Sequence, residues 1–77
     1  MILKIISAEQ ILFEGEVTSV TLPGSKGQFT VLQNHASLIS TLQKGKITYT
    51  ANAKVEEKAV DGGIADIDKN VVSVCIY

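Results

Sequence analysis

Apolar residues in this chain recur mostly at every second position, in short runs separated by glycine, asparagine or charged turns. A period of two is the mark of strands with one buried face. Lys46-Ile47-Thr48-Tyr49-Thr50 alternates cleanly and predicts a strand with Ile47 and Tyr49 inward. Residues 71–76 put Val72, Val74 and Ile76 on one face, and the Asp68-Lys69-Asn70 turn joins them as a hairpin to 64–67, after Gly62-Gly63. Residues 2–7 are apolar on nearly both faces, Leu3 and Ile5 on one and Ile2 and Ile6 on the other with Lys4 as the exception, as in a strand inside a sandwich or beside a partner.

Pro23-Gly24 and Gly27 predict a chain reversal at 23–27, because proline presets φ and glycine accepts positive φ. Phe29, Val31 and Leu32 are then expected to line a strand interior, and Gln33-Asn34-His35 to end that strand in a polar loop. Ile11-Leu12-Phe13 reads as a short strand with a turn at Glu14-Gly15-Glu16, although Ser7 followed by Glu9 also fits a helix start. Val17 and Val20 break the alternation and suggest a bulge or twist near Thr18-Ser19. Residues 36–42 fit either period, since Leu38, Ile39 and Leu42 suit a helix while Leu38, Ser40 and Leu42 suit one strand face. The surrounding β pattern favours the strand. Turns are marked by Lys44-Gly45-Lys46 and Asn52, and 55–60 reads as an exposed edge strand in which Glu56, Glu57 and Lys58 oppose unwanted pairing. The expectation is an all-β domain over residues 1–77, a small β-sandwich or flattened barrel of eight or nine short strands.

The chain has 77 residues, 45% of them hydrophobic, but only four aromatics and no tryptophan, so its core must be built from Val, Ile and Leu. A chain this small buries only about 60% of its unfolded surface, which leaves thin stability margins. Seven basic and eight acidic residues give a net charge of −1, which argues against nucleic-acid binding. A single cysteine, Cys75, excludes an intrachain disulfide and fits a reducing, cytoplasmic setting. The apolar start is far shorter than the roughly 20 residues that span a bilayer and lacks a leader's cleavage pattern. Interspersed charges and the protected edge predict a monomer when isolated.

Candidate chemistry is sparse. Cys75 lies in an apolar strand, where a small buried side chain is expected, and His35 stands about forty positions away. The carboxylate pairs Glu14/Glu16, Glu56/Glu57 and Asp66/Asp68 fall in turns or charged strands, where solvated surface is the expectation. Gly24-Ser25-Lys26-Gly27 lacks the spacing and following helix of a phosphate-binding loop. A lone histidine makes no ordinary zinc site. The expectation is therefore no catalytic residue, no metal and no cofactor. One competing reading is a generic β binding module. Another is a lipoyl- or biotinyl-type carrier domain modified at Lys69, against which stands the position of that lysine near the end of the chain rather than between two halves.

An ordered set of motifs carries a family resemblance: Ser7-Ala8-Glu9, Phe13-Glu14-Gly15-Glu16-Val17, Pro23-Gly24-Ser25-Lys26-Gly27, His35-Ala36-Ser37, Asp61-Gly62-Gly63 and Val72-Ser73-Val74. Together they resemble the N-terminal domain of the epsilon subunit of F-type ATP synthases, across nearly the whole chain. The resemblance implies a non-catalytic β-sandwich of the central stalk, peripheral on the cytoplasmic side of an energy-transducing membrane, that couples c-ring rotation to the gamma subunit. Carried over by position, it implies that Ser7, His35 and Ser40 face gamma and that Ser25, Lys26, Gly27 and Gln28 form the tip that meets the c-ring. Gln28 stands where some relatives carry an acidic residue and keeps an acceptor without the charge. Gln33 and Ser37 replace prolines usual near the histidine, which should leave the 33–37 corner less constrained. Most epsilon subunits continue into a C-terminal helical hairpin associated with inhibition of hydrolysis and, in some, ATP binding; from these 77 residues neither property is expected.

Overall fold

The computed structural model describes residues 1–77 and contains nine strands and no helix: β1 (Ile2–Ile6), β2 (Ile11–Glu16), β3 (Ser19–Gly24), β4 (Gly27–Leu32), β5 (Leu38–Leu42), β6 (Gly45–Ala51), β7 (Lys54–Val60), β8 (Gly63–Asp68) and β9 (Val71–Ile76). They form two groups. One runs β2-β1-β9-β8-β5, with β1 and β9 parallel, and the other runs β4-β3-β6-β7. A single bridge, Gly24 to Leu42, joins β3 to β5 and makes the two groups one curled sheet.

Alternation fills the space between the groups. Leu3 and Ile5 of β1, Ala65 and Ile67 of β8 and Val72 and Val74 of β9 meet Val20 and Leu22 of β3, Val31 of β4 and Ile47 and Tyr49 of β6 in one buried cluster. No polar or charged side chain is buried with them. The expected Ile47 and Tyr49 face and the two-sided character of β1 are both observed, and 38–42 is a strand.

Corner residues explain how the sheet turns over. Gly24 pairs with Gly27 across the hairpin and with Leu42 at the bridge. A Cβ on Gly24 would lie 2.7 Å from the Gly27 carbonyl oxygen and 2.8 Å from the Phe29 ring, so only glycine allows this approach. Beyond the corner, the Ser25 amide donates to the Thr41 carbonyl and the Gln43 amide to the Pro23 carbonyl, both at 2.9 Å.

Four sequence expectations are corrected. Glu14-Gly15-Glu16 is not a turn: these residues continue β2 opposite Lys4, Leu3 and Ile2, and the missing Gly15 side chain leaves room for the Phe13 ring. No bulge lies at Thr18-Ser19, where the chain instead leaves β2 and crosses to β3; the ladder irregularity falls between Ile5 and Ile6. Leu32 is 58% exposed because it follows the buried Val31 on the opposite face of β4. Cys75 is exposed for the same reason, since Val72 and Val74 take the inner face of β9.

Candidate functional site

Register places the residues singled out from sequence at different parts of the sandwich. β1 pairs Ile6 with Cys75, β9 pairs Cys75 with Ile64, and β8 pairs Ile64 with Thr41. Ser7 follows Ile6 at this end, where its amide donates to the Gln10 carbonyl at 2.9 Å and so shapes the β1–β2 corner. The Gly24–Leu42 bridge and the Ser25–Lys26 turn belong to the same end.

His35 lies at the other end, in the β4–β5 loop. Its amide donates to the Leu32 carbonyl at 3.2 Å, and its Nδ1 is 2.7 Å from the Ala36 carbonyl oxygen. The loop is tied across to the β8–β9 turn: the Asn34 amide donates to Asn70 Oδ1 at 2.7 Å, Asn70 Nδ2 to Asn34 Oδ1 at 3.0 Å, and Ser37 Oγ to Asp68 Oδ1 at 2.8 Å. These bonds tie residues 34–37 to the β8–β9 turn. His35 therefore lies at the strand end opposite Cys75, which pairs with Ile6, and the two do not form a thiol–imidazole pair. Lys69 occupies the β8–β9 turn with left-handed φ of 50°, but its neighbour Asn70 is held by Asn34, so the turn does not project freely as a carrier tip would.

Ser40 joins the tip residues rather than Ser7 or His35. Together with Ser25, Lys26, Gly27 and Gln28 it lines a cleft of about 600 Å³ between the β3–β4 hairpin and β5. Thr41 Oγ1 donates to Ser25 Oγ at 2.9 Å, and Ser40 Oγ donates to the Thr41 carbonyl at 3.0 Å, so both hydroxyl groups are already engaged in shaping the cleft wall. Lys26 is exposed and forms no ion pair.

A further surface escaped the sequence reading. The outer face of the five-stranded group carries a row Ile11–Ile6–Cys75–Ile64, one residue from each of β2, β1, β9 and β8. Ile11 is 61% exposed and Ile64 48%, and Ile39 on β5 extends the same face at 72%. Covering such side chains is worth on the order of 1 kcal/mol each. The only signal in sequence was the apolar character of both faces of β1. The Tyr49 hydroxyl has its pKa raised by burial and by the nearby Glu56 carboxylate. The arrangement offers surfaces for binding and no assembled reactive centre.

Comparison with known proteins is consistent with this picture. Residues 1–76 match the family described as ATP synthase, Delta/Epsilon chain, beta-sandwich domain. An ATP synthase epsilon chain from Leptospira borgpetersenii is 41% identical over 71 residues, covering 92% of this chain and 56% of the relative. One from Desulfitobacterium hafniense is 40% identical over 72 residues, covering 94% and 54%. This chain thus spans about half the length of the curated relatives it matches. Among solved structures, a chain of the Euglena gracilis mitochondrial ATP synthase, determined as OSCP/F1/c-ring, superposes with a TM-score of 0.91 at 22% identity, covering 99% of this chain and 49% of that one.

Proposed function

This chain belongs to the ATP synthase delta/epsilon family through its β-sandwich domain, and from that premise we propose that it is a non-catalytic central-stalk subunit, peripheral on the cytoplasmic side, that couples rotation of an ion-driven c-ring to the gamma subunit. The observation that carries the reading beyond family membership is the exposed apolar row on the outer face of the five-stranded group, a surface suited to permanent cover by a partner. In this reading gamma takes that face. A partner that touches Ser7 and His35 together has to run the length of the strands, because the two residues lie at opposite ends. Ser40 marks where gamma reaches β5, and the tip Ser25, Lys26, Gly27 and Gln28 meets the c-ring.

The role needs stiffness rather than chemistry. Torque passes between ring and gamma only if the junction resists slip, and a close-packed core built almost wholly from aliphatic side chains deforms little. The tip is held to β5 by the Ser25 and Gln43 amides, so force applied there is carried into the sheet rather than absorbed by a loose loop.

The test is hydrogen exchange of the chain with and without purified gamma subunit. Amides of Ile2–Ile6 are expected to exchange more slowly in the complex. Binding with unchanged exchange there would remove gamma from this face, and absence of any binding would remove the stalk assignment.

A further inference from the structure

The outer face of the five-stranded group is apolar at one end and acidic toward the other. Next to the apolar row, two residues further along the strands, register lines up Glu14–Lys4–Ser73–Asp66–Ile39, and the row after that has Glu16 and Asp68 at its two margins. Neighbouring rows lie about 7 Å apart. The two acidic rows thus carry four of the chain's eight carboxylate side chains against a single lysine, which makes this face far more negative than the net charge of −1 suggests.

The charge is unbalanced on one side. Lys4 lies 3.9 Å from Glu14 on the β2 side, whereas on β8 no basic group comes within ion-pair distance of Asp66 or Asp68. Both are exposed. Asp68 is held in place by the Ser37 hydroxyl, which donates to it at 2.8 Å, and Asp66 lies directly beside the exposed Ile39. Ile39, Asp66 and Asp68 help to line a groove of about 510 Å³ at the β5–β8 pair, with Ile64 of the apolar row two residues before Asp66.

A partner that covers the apolar row reaches these two carboxylates within the next two rows. A wholly apolar surface laid there would take two unpaired charges out of water, which costs more than the apolar contact returns, and an acidic surface would be repelled. A cation answers both. We infer that the partner seated on this face sets an arginine over Asp66 and Asp68, one or two rows from the apolar residues that cover Ile6, Cys75 and Ile64. Arginine fits better than lysine, because its planar fork can donate to both carboxylates while its stem lies on Ile39. Gamma is that partner only if the stalk reading above holds, whereas the partner's basic character follows from the face alone.

The experiment measures binding of purified gamma subunit across salt concentration. Affinity of the parent chain is expected to fall as salt rises, because ions screen the pair. Asp66→Asn combined with Asp68→Asn is expected to weaken binding by about tenfold or more at low salt and to flatten the salt dependence. Thermal unfolding of the isolated variant should be unchanged, since asparagine keeps an acceptor for Ser37. Glu56→Gln combined with Glu57→Gln, an equal change of charge on β7, is expected to bind like the parent. Salt-independent binding of the parent, parent-like affinity of the double aspartate variant, a loss that keeps the parent's salt dependence, or an equal loss in the β7 variant each overturns the arginine and leaves the stalk reading standing. Failure of the parent chain to bind gamma at all overturns both.

Discussion

The rings of Phe13 and Tyr49 lie 4.5 Å apart between centroids, tilted by 40°, and they belong to opposite groups of strands. Phe13 is on β2, the outermost strand of the five-stranded group, and Tyr49 is on β6 of the other. The contact therefore spans the side of the curled sheet away from the Gly24–Leu42 bridge. Such aromatic pairs add about 0.5–1.5 kcal/mol beyond area burial. Phe13→Ala is expected to destabilise the fold by about 2 kcal/mol, less than the roughly 3–5 kcal/mol of a fully buried phenylalanine because Phe13 is half-buried. Urea unfolding measures it, and a loss below about 0.5 kcal/mol would show that the ring contact does not hold the groups together.

Tyr49 also gives a pH dependence. Burial first, and the Glu56 carboxylate second, raise its pKa in the folded chain, so the folded state keeps the proton where the unfolded chain has released it. The folded state then binds more protons, and stability falls as pH rises above about 10, the unfolded tyrosine value. Below that pH both states are protonated and this contribution is constant. Glu56→Gln is expected to lower the pKa toward the ordinary value, read by absorbance titration of the phenolate in the native protein.

Gly63→Ala is expected to be among the most damaging single-methyl additions. The new Cβ would overlap the Cys75 carbonyl oxygen and stand 3.0 Å from Ile76 Cα, both backbone atoms of the paired strand, and the residue has φ of 157°. Neither neighbour can move without opening the β8–β9 ladder. A loss above about 3 kcal/mol is expected, placing the change in the tail of single substitutions; thermal unfolding close to that of the parent would refute it.

Ala53→Gly should instead stabilise. Asn52 and Ala53 have φ of 53° and 62° in the two-residue β6–β7 turn, where both central residues are left-handed and glycine is favoured at the second. Alanine there costs roughly 1 kcal/mol relative to glycine. A rise in the urea midpoint with an unchanged slope is the expected result.

Asn34 and Asn70 should be energetically coupled. Each has left-handed φ, and two hydrogen bonds run between them. Each alanine replacement is expected to cost about 1–2 kcal/mol, with the double variant costing less than the sum. Additive losses would show that the two turns are stabilised separately.

The strands were the most legible part of the chain because alternation and turn residues are local signals. Ile47 and Tyr49 could be assigned inward from five residues alone. Cys75 and Leu32 were misjudged for one reason: an apolar residue on a strand is inward or outward according to its parity with a buried neighbour, and its chemistry does not say which. The division of Ser7, His35 and Ser40 among two ends and a cleft was invisible, because it depends on β5 choosing β8 rather than β4 as its partner. That choice is nonlocal.

The parallel pairing of β1 with β9 sets a condition on how the chain reaches this shape. Ile2–Ile6 pairs with Val71–Ile76, so β1 waits for almost all of the sequence to be synthesised before it has its second neighbour. At about 5–20 residues per second on a ribosome, the delay amounts to several seconds. During that interval Leu3 and Ile5 lack the covering Val72 and Val74, and one edge of β1 stands open. Pairings at such sequence separation also form slowly. The nascent chain's exposure to aggregation, and its demand on chaperones, is therefore concentrated in its first six residues.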